Sequence, residues 1–296
     1  MVTSAQVARP AGTGHRASAG ARRATKLVPV YFVLSVWAVL VIFPLIWMLY
    51  TSFKTNQELI GNVWSLPARL KLENYARAWT QGKLGLATLN SLFYSLASVG
   101  LSDVLAAMAA YVLARFDFRG ARTAFYYFMA GVYIPTSLTI IPTFLLLRSL
   151  RLIDTHVGLM LVYTAWNIPF AVFVLYGYFK TIPSELMDAA SIDGCSEHTV
   201  FWRIVLPLGK SGLTAVSILN FLWVWNELFY ALVLAREDTL KPLPLAVATV
   251  KSATYLSGDW VQVFAAASVM AVPLIVGYIF IQRQMIEGAT LGALKG

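Results

Sequence analysis

KTIPSELMDAASIDGCSEHTVFWRIVLPLGK, residues 180–210, is a polar stretch set between two strongly apolar ones. Pro183 and Ser184 followed by Glu185 and Asp188 make a helix start, since proline suits the first turn and acids favour the positive end of the helix dipole. Gly194 supplies a stop, because glycine takes the left-handed conformation that ends a helix. Ser196 then caps a second helix, and Pro207 closes it. The stretch thus predicts two short helices around a tight turn. That is the shape of a docking element and not of an enzyme site.

The flanking sequence says where this element sits. A helix needs roughly 20 mostly apolar residues to cross the hydrocarbon core. Such runs occupy 28–50, 87–113, 122–147, 157–179, 211–234 and 260–282. Hydrophobic residues make up 58% of the chain and charged ones 12%, and mean hydropathy is +0.68. A soluble domain carries about 25% charged residues, so the missing charge corresponds to surface that faces lipid. The fold class that follows is an all-α integral membrane protein with about six transmembrane helices. Pro44, Pro135, Pro142, Pro169 and Pro273 lie inside these runs, where neighbouring helices can satisfy the carbonyls a proline frees. Kinked spans suit a protein that opens a path, and simple bending to fit neighbours accounts equally well for any single proline.

Charge sets the orientation. With the N-terminus inside, the inner segments hold thirteen Lys and Arg and the outer segments ten, a modest bias in the sense of the positive-inside rule. The stretch before the first span adds a stronger cue, with Arg9, Arg16, Arg22, Arg23 and Lys26 and no acid. Residues 1–26 read as a basic, disordered cytoplasmic tail, with a targeting peptide as the other reading. Residues 27–296 form the membrane domain, and both termini are expected in the cytoplasm. The net charge of +9 belongs to lipid-facing flanks and not to nucleic acid, because no basic helix or aromatic RNA-binding motif accompanies it. Cys195 is alone, so a disulfide framework is excluded. His15, His156 and His198 fall in separate segments, there is no H-E-x-x-H, and there is no G-x-x-x-x-G-K-[ST]. The chain is therefore expected to bind no metal or cofactor, to catalyse no covalent chemistry, and to take ATP energy, if any, through a partner.

Asp188-Ala189-Ala190, three residues, Gly194, nine residues, Ile204, one residue and Leu206-Pro207 resembles the EAA signature of bacterial ABC importer permeases. Every spacing matches, and Asp188 stands where the signature has Glu. The likeness extends over nearly the whole chain from about residue 30: AAYVLARFDFRGAR (109–122), IPSEL (182–186), SIDG (191–194), FWRIVLPL (201–208), Trp225-Asn226-Glu227 and GALKG (292–296) are similar to the sugar-transporting branch. The ending and the short loop between the first two spans look like the maltose-type second permease, the shorter of two subunits. The resemblance implies a type I ABC importer in a bacterial cytoplasmic (inner) membrane. It implies a heterodimer with a second permease, two cytoplasmic ATPase subunits that bind ATP and Mg, and an extracytoplasmic sugar-binding protein. Coupling helices at about 183–207 would meet the ATPases through Glu185, Asp188, Ala189, Ala190, Gly194, Ile204, Leu206 and Pro207, the Ala-Ala pair and Gly194 allowing close approach. The terminal GALKG would touch the ATPases or fray.

The substrate path is read from side-chain chemistry. In the run 211–234, Asn220, Trp223 and Glu227 recur at i, i+3 and i+7, hence on one helical face. A glutamate near hydrocarbon is costly unless it faces the interior; sugar contact, subunit packing and an outer gate are all open to it. Asp103 is expected near mid-span, either as a proton relay or as a hydrogen-bonded acid facing the partner permease. Trp166 and Asn167 beside Pro169 are further lining candidates, unless Trp166 belongs to an interfacial belt. Two rival functions remain. A self-contained ion-coupled carrier would need internal repeats and paired intramembrane acids, and neither is evident. A glycerol-phosphate importer would favour Lys or Arg in the path, and none lies mid-span.

Overall fold

The computed structural model describes the backbone of residues 14–293 and the side chains of residues 28–282. Among the described residues every regular element is helical. In chain order these are α1 (Gly14–Thr51), α2 (Asn56–Gly61), α3 (Glu73–Gln81), α4 (Leu84–Arg115), α5 (Ala121–Tyr133), α6 (Thr136–Ser149), α7 (His156–Lys180), α8 (Glu185–Ile192) and α9 (Glu197–Val200). A π-helical turn at Phe201–Val205 leads into α10 (Leu206–Leu208). Then come α11 (Lys210–Asn226), α12 (Phe229–Leu234), α13 (Leu243–Ser257) and α14 (Trp260–Ala293).

Four stretches are single helices long and apolar enough to cross a membrane: Val28–Thr51, Leu84–Arg115, His156–Lys180 and Trp260–Gln282. The third expected span is not one straight helix. It is α5 and α6, bent by 104° at Ile134-Pro135. Pro135 cannot continue the helix that precedes it and instead opens α6 in extended conformation. The fifth is broken as well: α11 meets the Glu197–Leu208 segment at 75° and stops at Asn226, with Glu227 extended. The candidate spans thus number four to six, the fifth pairing α11 with Glu197–Leu208 where the apolar run predicts 211–234. At the N-terminus, α1 begins at Gly14, within the stretch read as a basic tail; residues 1–13 lie outside the described ones.

The centre of the bundle is α4 on α7, with α11 against both. Ala106, Ala107 and Ala110 of α4 and Ala171 of α7 have no exposed surface, and small residues are what let two membrane helices approach closely. At the end that carries α2 and α3, Tyr94 donates to the Leu240 carbonyl at 3.0 Å and pairs with His156 Nδ1 at 2.9 Å. Asn56 and Arg77 both engage Asp259 there, at 2.8 and 2.9 Å. On the same side Asp238 links Lys241, at 2.6 Å, and Lys83, at 2.9 Å, and those partners hold its carboxyl down at about 2. This brace is present at any pH above the ordinary carboxylate range and is lost as the pH falls towards 2; being exposed, it is also weakened by salt. By contrast α1 is almost unpacked: nothing in its apolar window is buried, and Trp47 on Phe264 of α14, at 5.1 Å, anchors its last turns.

At the opposite end, Gly209 joins α10 to α11 because a side chain there would run into the ring of Phe179, which is itself fully buried. Gly209→Ala is therefore expected to lower the thermal midpoint of the detergent-solubilised protein, at the ~1–3 kcal/mol typical of an overpacked core. An unchanged melting curve would mean that this junction yields freely.

Candidate coupling element and substrate path

The element at 183–208 is built as the sequence predicts in outline. Glu185 begins α8, with Ser184 before it in helical conformation and making no side-chain cap. Gly194 ends the turn at φ +81°, and the Cys195 N–H returns to the Ala190 carbonyl at 2.9 Å, which closes the helix in the usual left-handed manner. A side chain at Gly194 would meet open space, so the backbone conformation and not crowding within the chain demands glycine there. Ser196 caps α9 by accepting from the Thr199 N–H at 3.3 Å. Pro207 does not close that helix. The chain runs on to Leu208 through the π turn, where the Leu206 N–H reaches the Phe201 carbonyl. A wider turn just ahead of a proline absorbs the bond that proline cannot make.

The motif residues divide between two faces. Ala190 is only 7% exposed and packs with Met187, Val200, Phe201 and Val205 against Ala106, Ala110, Tyr111 and Phe179, so it does not offer close approach to a partner. Ile204 and Leu206 are half-buried on the same cluster. Glu185, Asp188, Ala189, Gly194 and Pro207 face outward, together with Ile192, which is 87% exposed. One face thus grips the bundle and the other is free. Arg115 fastens the seam: its guanidinium donates to the carbonyls of Phe179, at 2.8 Å, and of Ile182.

The proposed path residues fall into two groups: Asn220 lies at α4, while Trp223 and Glu227 border one cleft, with Glu227 past the end of α11 and so off the helical face expected for it. Asn220 turns to α4, where Asp103 accepts from Ser217 Oγ at 2.5 Å and from Asn220 Nδ2 at 3.4 Å. Asp103 is buried and bonded within this chain instead of being held only by another subunit, although it borders an apolar groove of about 480 Å³ between α4, α11 and α14. Trp223, one turn on from Asn220, stacks on Trp166 of α7, with centroids 5.7 Å apart and planes at 17°. Tyr163 and Tyr230 meet this pair edge-on. Asn167 is buried next to Trp166 with its Nδ2 unpaired, so it lines no open surface.

Glu227 sits where α11 has ended. Its carboxylate accepts from the Tyr163 hydroxyl at 2.9 Å and from the N–H groups of Tyr230, at 2.8 Å, and Ala231, at 3.2 Å. It thereby caps α12 and ties the break to α7. The two broken spans face each other here, and between them lies a cleft of about 460 Å³ lined by Thr136, Ser137, Ile140, Trp223, Asn226, Glu227, Leu228 and Phe229. Hydroxyls, an amide, a carboxylate edge and aromatic faces are the groups that hold polyhydroxylated ligands. Thr136 and Ser137 were not foreseen, since a bend of 104° is needed to bring the start of α6 beside the end of α11.

The chain is thus a helical membrane bundle with a polar cleft at two helix breaks and, at one end, a two-helix element whose outer face is free. Residues 104–285 match the family described as binding-protein-dependent transport system inner membrane component. The chain is 36% identical over 262 residues to the diacetylchitobiose uptake system permease protein NgcG of Streptomyces coelicolor, covering 88% of this chain and 87% of that one. It is 35% identical to the arabinooligosaccharides transport system permease protein AraQ of Halalkalibacterium halodurans, covering 88% and 93%. Likeness to the trehalose transport system permease protein SugB of Mycobacterium tuberculosis is 31%, over 94% and 100%. The fold matches a crystal structure of a bacterial ABC transporter that imports the acidic polysaccharide alginate, with TM-score 0.72 and 23% identity over 93% of this chain and 99% of that one. The chain belongs to the inner membrane components of binding-protein-dependent transport systems: it is an ABC importer permease subunit.

Glu227→Ala would orphan the Tyr163 hydroxyl and two backbone N–H groups, at ~1–3 kcal/mol for an unpaired buried donor. Its thermal midpoint in detergent is expected to fall well below that of Glu227→Gln, which keeps an acceptor oxygen. Equal midpoints for the two variants would remove Glu227 as the latch of the break.

Proposed function

We propose that this subunit moves a neutral mono- or oligosaccharide inward by alternating access, driven through α8–α10 by a separate ATPase. The observation that carries the coupling part is the two-faced element: Ala190, Phe201 and Val205 grip the bundle while Glu185, Asp188, Ala189, Gly194 and Pro207 stay free. Glu185 and Asp188 lie in the first turn of α8, beside the backbone N–H groups that a partner would approach. Differential contact of this face with two states of the ATPase pair is what a driven conformational shift requires. The end that carries α8–α10 is then cytoplasmic, as are both termini, and the α2–α3 end receives cargo from an extracytoplasmic binding protein. The assembly would hold one second permease and two ATPase subunits in a bacterial inner membrane, with ATP and Mg on the ATPases.

The cleft supports the cargo class. Trp223, with Trp166 behind it, offers an aromatic face, and Thr136, Ser137 and Asn226 offer hydroxyl and amide partners. None of its lining residues is Lys or Arg, which favours a neutral sugar over a glycerol phosphate. The relatives named for diacetylchitobiose, arabinooligosaccharides and trehalose point to the same class. Asp103 and Asn220 support the wall between α4 and α11, and Glu227 holds the break that shapes the cleft.

Purification of the tagged chain from its native membrane in mild detergent is expected to recover a P-loop ATPase and a second multi-span protein. Gly194→Asp is expected to leave insertion and folding intact while cutting binding-protein-stimulated ATP turnover by about tenfold, within the usual range of a coupling energy. Isolation of the chain alone and still transport-competent, or normal stimulated turnover in Gly194→Asp, would sink the docking assignment.

A further inference from the structure

Glu197 is one of the nine unspecified residues between Gly194 and Ile204 of the EAA signature, and it ties the coupling element to a spanning helix by a side-chain bond. Tyr111, in the last turns of α4, donates its hydroxyl to Glu197 Oε2 at 2.7 Å. The Tyr111 ring is 5% exposed and is held edge-on by Phe116 at 5.7 Å and tilted against Phe201 at 5.4 Å. Glu197 is the first residue of α9 and is otherwise exposed. Four residues along α4, Arg115 grips the carbonyls of Phe179 and Ile182, which fixes the ends of α4 and α7 to each other and to the start of the element.

The element is joined to the bundle in two ways. Towards α4 and α7 it is bonded through Tyr111–Glu197 and packed through Val200, Phe201 and Val205. Towards α11 it continues through a π turn, a proline and the 75° corner at Gly209. A push on the free face thus has a bonded route into α4 at Tyr111–Glu197, and α4 packs along α7 in the most extensive interface in the bundle. We propose that Tyr111 and Glu197 are positioning residues for coupling: their hydrogen bond passes the displacement of α8–α10 into the α4–α7 pair. This rests on α8–α10 being the ATPase-docking element. Without the bond the ATPases still dock on the free face, but α9 slips against α4 and part of each closure is lost as local motion.

The test uses the whole transporter, purified through a tag on this chain and placed in lipid nanodiscs. Ser137→Cys, in a Cys195→Ser background, reports on the cleft by its rate of reaction with a membrane-impermeant maleimide, with and without Mg-ATP plus vanadate. Tyr111→Phe keeps the ring and loses only the hydroxyl. Glu197→Ala removes the acceptor, and Glu197→Gln keeps one. In Tyr111→Phe and Glu197→Ala the ATPases are expected to co-purify and hydrolyse ATP at the basal rate, while the nucleotide-driven change in labelling shrinks about fivefold, which is ~1 kcal/mol at 1.4 kcal/mol per tenfold. Glu197→Gln should restore most of the change, and the double variant Tyr111→Phe with Glu197→Ala should be no worse than either single one. An undiminished labelling response in Tyr111→Phe, or Gln no better than Ala at 197, overturns the proposal. Loss of the ATPases from the Tyr111→Phe and Glu197→Ala complexes alone makes the pair a docking contact and overturns it too. Absence of any ATPase with the unsubstituted chain overturns the docking reading itself, and this proposal with it.

Discussion

In hydrocarbon a backbone N–H without a partner costs several kcal/mol, and that constraint decides where this chain can afford to stop being helical. It stops inside two spans, at Ile134-Pro135 and at Glu227-Leu228. At the first, proline has no N–H to satisfy, so the first turn of α6 starts with one orphan fewer. At the second, a carboxylate takes the N–H groups of Tyr230 and Ala231 and is itself steadied by Tyr163. The two breaks pay their cost through different chemistry and converge on one cleft. Irregular backbone at this depth is tolerated where it lines a cavity, which is where both of them lie.

The same constraint explains how much of the molecule was legible from its residues. Span existence was, since six apolar runs of adequate length can do little else in lipid. The helix–turn–helix of 183–208 was too, because Gly194 and Ser196 act locally and their effects do not depend on distant packing. What failed were inferences that carried a helical period across a break. Asn220 and Glu227 are seven residues apart, a helical repeat only while the helix lasts; α11 ends at Asn226, and the two side chains then meet different partners. Pro135 did announce a disturbance, but the bend that sets Thr136 and Ser137 beside Trp223 is a tertiary outcome with no local signature. Pro207 misled in the opposite sense, because a π turn let the helix pass through it.

The coupling motif divides in an instructive way. Its residues follow each other at fixed spacing, which invites the view that all of them face the partner. In the fold, Ala190 is turned inward with Met187 while Asp188 and Ala189 face out, as neighbours on a one-turn scale must. A spacing pattern therefore records two requirements at once: a surface for docking and a seat on the bundle. The seat needs small and apolar groups because it packs against Ala106, Ala110 and Phe179. The surface needs exposure and a left-handed turn. A substitution at Ala190 and one at Ala189 would then damage different properties although they are adjacent in sequence.

Coupling between a docking face and a distant cleft requires that the path between them be stiffer than its surroundings, because energy goes into whichever joint yields first. Along this chain the stiff joints are those made with α4: close alanine packing on α7, the Arg115 grip on two carbonyls, and the Tyr111 bond to Glu197. At the corner where α11 leaves at 75°, Gly209 packs against the buried ring of Phe179. In turn, α11 supplies Trp223 and Asn226 to the cleft. On the proposed coupling, any shift of α7 relative to the end of α11 would shear the Trp166–Trp223 stack, whose two rings belong to those two helices. A ligand wedged against that stack would feel the motion directly. On that proposal, a push at one end of the bundle would reach the cleft through the helices whose breaks and rings line it.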